Sequence, residues 1–174
     1  MKVQECMTSP AHSCTASANL VTAARIMWDY QIGSLPVLDS EGHPIGMVTD
    51  RDICMAAARK GRFAGDISVR ETMSPNPFTV HPEEELAKAL DTMASRQVRR
   101  LPVVDRENRL VGILSINDAA AVAESGERDF RGRPEVLAHI VATLRRIAQP
   151  SSTPGGTAAE SVPESGPDRE SPKA

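Results

Sequence analysis

Aromatic residues are scarce in this 174-residue chain, with three phenylalanines, one tryptophan and one tyrosine. So few flat side chains leave no stacking platform of the kind that holds single-stranded nucleic acid. A net charge of -3 likewise gives no general electrostatic footprint for a polyanion. Cysteine is just as sparse. Cys6, Cys14 and Cys54 are odd in number and show no C-x-x-C spacing, which argues against a disulfide framework or a zinc knuckle and for small packing residues. The four histidines, His12, His43, His81 and His139, have no helical i, i+4 partner for a metal. No apolar run approaches the roughly 18 residues a membrane span needs, and no charged start leads into a signal-length apolar stretch. The expectations are no metal, no nucleic acid, no membrane, and a cytoplasmic location.

What the chain does have is an internal repeat. Sliding residues 3–52 onto 69–118, an offset of 66 without a gap, makes 14 of 50 positions identical. VQECM falls on VRETM, LPVLD on LPVVD, and GMVTDRD on GILSIND. A fixed offset of this kind marks two copies of one supersecondary unit. Within each copy, apolar residues at three- and four-residue spacing predict helices over 19–31 and 84–97. SLPVLD and RLPVVD read as buried strands, and polar turns separate them from the strands IGMVT and LVGILS. Alanine-rich helices follow over 50–59 and 116–124, and short opening strands fall at 13–15 and 78–80. The fold class is α+β, with each unit running strand, helix, strand, strand, helix.

Thr49 with Asp52, and Ser115 with Asp118, each place a hydroxyl three residues before an acid where a helix begins. That spacing is a capping box, and capping alone would account for it. The same helix start also offers free N–H groups to a phosphate, and an ionised carboxylate accepts hydrogen bonds from ribose hydroxyls. The sequence leaves both readings open.

The paired G-h-x-[T/S]-x-x-D stretches (h is an apolar residue), the two LPV strands and the VQECMT and VRETMS segments together resemble the tandem CBS domain pair, or Bateman module, over about residues 1–124. The resemblance implies two units packed as a pseudo-twofold pair that binds an adenosyl ligand, such as AMP, ADP, ATP or S-adenosylmethionine, in clefts between them. It assigns ribose contacts to Asp52 and Asp118, and phosphate or ribose-hydroxyl contacts to Thr49 and Ser115. It places the base against Cys14 and Thr15 with Ile32, Gly33 and Ser34 in one cleft, and against Thr79 and Val80 with Val98, Arg99 and Arg100 in the other. Arg99 and Arg100 stand where the first copy has Gly33 and Ser34. A guanidinium pair suits phosphate, so the second cleft is the expected principal site.

The repeats span 1–62 and 63–126, with a helical segment over 127–149 and a tail over 150–174 whose proline, glycine, serine and acids predict disorder. Pro134 to Ala148 carries one apolar face and should dock. The expected function is a stand-alone, non-enzymatic regulatory module that needs no cofactor, takes an adenine nucleotide as regulatory ligand, and signals to a protein partner through a conformational change. The alternative is a structural or interaction dimer with vestigial clefts. A homodimer is expected in either case, joined through the alanine-rich helices of both units.

Overall fold

The computed structural model describes residues 1–124 and 134–149. The disorder expected over 150–174 lies outside these residues. The first copy contributes β1 (Cys14–Thr15), α1 (Leu20–Asp29), β2 (Ser34–Leu38), β3 (Pro44–Thr49) and α2 (Asp50–Lys60). After it come β4 (Ser74–Pro75), α3 (Leu86–Arg96), β5 (Arg100–Val104), β6 (Leu110–Ser115), α4 (Ile116–Glu124) and α5 (Pro134–Ala148). Helices and strands stand within a few residues of where periodicity puts them. The second opening strand is shorter than expected, reduced to one parallel bridge between Val80 and Val103. It is the counterpart, 66 residues on, of the Cys14–Val37 pairing in β1 and β2.

Local chemistry explains the boundaries. Asn19 caps α1 by accepting from Thr22 N–H at 2.9 Å, and α2 ends at Gly61 in the left-handed conformation, φ 57°. Helices α1 and α3 both run into a left-handed glutamine, Gln31 and Gln97. Strand β2 is buried on both faces over Ser34–Val37, which is why LPV reads as a continuous apolar run, while β3 alternates buried and half-buried.

The two copies exchange their lead-in segments. Strand β4, from the start of the second copy, pairs antiparallel with β3 of the first through Gly46–Pro75 and Met47–Ser74. Reciprocally, Thr8 from the start of the first copy bridges Ile113 of β6. Ile67 and Val69 are fully buried in the first core with Leu20, Leu35, Val37 and Val48. Val3 is fully buried in the second, with Leu86, Leu90, Met93, Leu101 and Leu114. Packing therefore crosses the repeat boundary twice, and neither repeat closes its own core.

Pseudo-symmetry breaks at α5. It lies across α3 and α4, burying Ile140 and Thr143. Thr143 Oγ1 donates to the Leu90 carbonyl at 3.4 Å, and His139 meets Asp91 at 2.9 Å. Ala120, expected on a dimer face, instead packs into the second core together with Val136 and Ile147 of α5. Among the described residues the corresponding face of α1 and α2 carries no such cover.

Candidate functional site

Both predicted capping boxes form. Thr49 Oγ1 donates to Asp52 Oδ2 at 2.7 Å, Thr49 N–H reaches the same oxygen at 2.9 Å, and Asp52 N–H returns to Thr49 Oγ1 at 3.1 Å. Ser115 and Asp118 repeat the arrangement at 2.7, 2.7 and 3.1 Å. The bonds to each carboxylate use Oδ2, and among the described residues no hydrogen bond reaches Oδ1 of either aspartate. Each side chain thus caps with one oxygen and keeps an acceptor in reserve.

A cleft of about 590 Å³ opens between the copies, within the size range of small-molecule sites. Its walls bring Gly33, Ser34, Thr49 and Asp52 of the first copy together with Val98, Arg99 and Arg100 of the second. Here the structure departs from the grouping expected from sequence. The arginine pair faces the Thr49–Asp52 helix start, because the positions preceding the two LPV strands meet near the pseudo-twofold axis. A Cβ on Gly33 would stand 3.9 Å from an Arg100 Nη. Ser115 and Asp118 lie outside this cleft, as do Cys14, Thr15, Thr79, Val80 and Ile32. Cys14 and Val80 are core residues, 7% and 3% exposed. Burial pushes the Cys14 thiol up to about 11, so it remains protonated at neutral pH.

Three arginines, Arg51, Arg99 and Arg100, line the cleft against two aspartates, Asp50 and Asp52. None of the three is ion-paired among the described residues. With the N-terminus of the eleven-residue α2 at the same wall, the cleft favours an anion. The Ser34 hydroxyl adds a further observation: it is buried at 4% exposure and has no hydrogen-bond partner among the described residues. A buried hydroxyl left unpaired costs roughly 1–3 kcal/mol, which a ligand or water would recover.

Several wall residues escaped the sequence reading, among them Asn76, Phe78, Gln97 and Ile147. Phe78 carries the Arg96 guanidinium 4.5 Å from its ring centroid. Its counterpart, His12, stacks on Tyr30 at 3.5 Å. The proline-rich SPNPF run near the start of the second copy was the available signal for Asn76 and Phe78. Ile147 had none, since only tertiary docking brings the end of α5 to the cleft, where Gln97 Nε2 also donates to the carbonyls of Arg146 and Gln149. Among the described residues no three His, Cys, Asp or Glu side chains are grouped to hold a metal, and no helix is long and apolar enough to cross a membrane.

The family model for the CBS domain matches residues 3–59 and 64–124. The CBS domain-containing protein YhcV of Bacillus subtilis is 36% identical over 125 residues, covering 72% of this chain and 87% of that protein. Among solved structures, the CBS domain pair of MJ0100 in complex with 5′-methylthioadenosine and S-adenosyl-L-methionine superposes with a TM-score of 0.64 at 26% identity, over 70% of this chain and 98% of that one. CBSX2 in complex with AMP gives a TM-score of 0.62 at 26% identity, over 73% and 98%.

Proposed function

This chain belongs to the CBS domain family, and from that premise we propose that it is a regulatory module whose cleft binds an adenosyl ligand, AMP, ADP or ATP, and passes the bound state to a protein partner. The observation that carries the reading is one cavity joining a helix start with a spare carboxylate oxygen, an unpaired buried hydroxyl and a guanidinium pair. Asp52 Oδ1 takes the ribose hydroxyls, the N-terminus of α2 and Arg99 with Arg100 take the phosphate, and Phe78 offers the base an apolar wall. Two solved relatives carry adenosyl ligands by their own description, which supports this ligand class.

Regulation fits the chemistry better than catalysis. Thr49 Oγ1 and Asp52 are engaged with each other in a reciprocal helix cap, and among the described residues no third side chain orients them as a nucleophile and base. The half-buried Cys6 thiol is pushed up to about 11, first by burial and then by the Asp118 carboxylate, a state that is poorly nucleophilic. The output element is α5. Its Ile147 forms part of the cleft wall, and its final carbonyls are held by Gln97, so filling the cleft changes what holds the end of this helix.

A thermal-shift series with adenosine, AMP, ADP, ATP and S-adenosylmethionine tests the reading. A ligand at about 100 times its dissociation constant adds roughly 2.7 kcal/mol to a protein that binds it only when folded. The expected result is a rise in melting temperature with at least one nucleotide. In a variant with Arg99 and Arg100 both changed to alanine, affinity falls more for AMP and ATP than for adenosine. No shift with any of the five would overturn the proposal and leave the interaction-dimer alternative.

A further inference from the structure

Position 50 sets the two helix starts apart. Its counterpart 66 residues on is Ile116, and the two backbones are used alike: Asp50 N–H donates to the Gly33 carbonyl at 3.1 Å, and Ile116 N–H to the Arg99 carbonyl at 3.0 Å. The side chains part company. Ile116 is buried in the second core, whereas Asp50 is exposed and lines the cleft. The fold therefore accepts an apolar side chain at this place, and packing does not call for a carboxylate. Capping does not call for one either, since Thr49 and Asp52 already cap α2.

Asp50 Oδ1 accepts from Arg51 N–H at 2.7 Å, and among the described residues no hydrogen bond reaches Oδ2. That free oxygen stands 3.1 Å from where a Cβ on Gly33 would lie, and an Nη of Arg100 stands 3.9 Å from the same point. The two groups are well within a Debye length of each other, about 8 Å, yet make no ion pair among the described residues. Asp50 thus lowers the pull of Arg100 on an incoming anion without occupying it. Arg51, Arg99 and Arg100 against Asp50 and Asp52 leave the walls one net positive charge, to which the start of α2 adds about half a charge. A phosphate monoester carries about 1.5 to 2 negative charges near neutral pH, so the cleft balances one such group. Each further phosphate brings negative charge that no remaining arginine of the wall meets.

We propose that Asp50 sets the charge selectivity of the cleft, holding it to a nucleoside monophosphate and disfavouring the di- and triphosphates. This rests on the nucleotide reading of the cleft and names the ligand class within it.

Calorimetric titration of adenosine, AMP and ATP into the full chain at fixed ionic strength tests the proposal. Wild type is expected to bind AMP more tightly than ATP. Asp50→Asn raises affinity about threefold for AMP and about tenfold for ATP, the scale of one fixed charge acting across a few ångströms of partly wetted cleft, and leaves adenosine unchanged. Asp50→Ser, a second neutral variant, gives the same pattern, Asp50→Glu keeps the wild-type order, and circular dichroism confirms that each variant folds. Tighter binding of ATP than of AMP by wild type, or an unchanged ratio of ATP to AMP affinity in both neutral variants, would overturn the proposal while leaving the nucleotide reading intact. An equal change for all three ligands would overturn it as well, marking a packing effect. Absence of binding by every ligand to every variant would overturn both.

Discussion

The glycines that open the two repeated motifs, Gly46 and Gly112, are needed for close approach of the exchanged segments rather than for any ligand. A Cβ on Gly46 would stand 2.6 Å from Met73 Sδ and 3.0 Å from the Ser74 carbonyl, and on Gly112 2.9 Å from Met7 Sδ and 3.0 Å from the Thr8 carbonyl. In each case one obstacle is a flexible side chain, but the other is backbone and cannot swing aside. Gly46→Ala should therefore destabilise the protein by about 1–3 kcal/mol, the usual cost of overpacking, as measured by urea unfolding. A neutral result would show that β4 is loosely held. The aspartates were legible as capping residues from spacing alone, and the structure adds the spare oxygen. The partnership of Asp52 with Arg99 and Arg100 was not legible, because a linear alignment pairs each position with its copy and says nothing of which positions meet across an axis.

At the scale of elements, the lead-in segment of the second copy is held by a short ionic cluster. Glu71 accepts from Ser68 N–H at 3.0 Å and pairs with Lys60 at 3.1 Å and Arg62 at 3.0 Å. The Ser68 N–H bond first, then the Lys60 and Ser68 side chains, lower its carboxyl from 4.5 to about 2. A carboxyl lowered on folding contributes stability that is present above its unfolded value and lost as pH falls through the folded one. The contribution of this group should therefore fade between about pH 4.5 and 2. The melting temperature of wild type should fall more steeply across that window than that of Glu71→Gln, and parallel curves would contradict the assignment. Helices and strands were readable because each buries a periodic stripe, and Pro134 marked the first turn of α5. Where α5 docks was not readable, since its stripe of Val136, Ile140 and Ile147 fits either helical face. The choice of α3–α4 turns on partners such as Asp91 for His139 that no periodicity reveals.

The whole molecule is two cores fastened by exchanged segments, Val3 and Met7 in one direction and Ile67, Val69 and Met73 in the other. Neither repeat can unfold without withdrawing a buried side chain from its neighbour. A single calorimetric transition is expected, with van't Hoff and calorimetric enthalpies equal, whereas two separated transitions would mean that the repeats are independent. The same crossing draws residues from both copies into one cleft, where Thr49 and Asp52 are proposed to bind nucleotide opposite Arg99 and Arg100. Isothermal titration of AMP into wild type, Asp52→Ala and Asp118→Ala tests it most directly. Loss of a hydrogen bond to a charged group costs roughly 1.5–3 kcal/mol, about ten- to 150-fold in affinity. That loss is expected for Asp52→Ala and near wild-type affinity for Asp118→Ala, with both proteins folded despite a missing cap. Wild-type affinity in a folded Asp52→Ala protein, or a greater loss in Asp118→Ala, would contradict it.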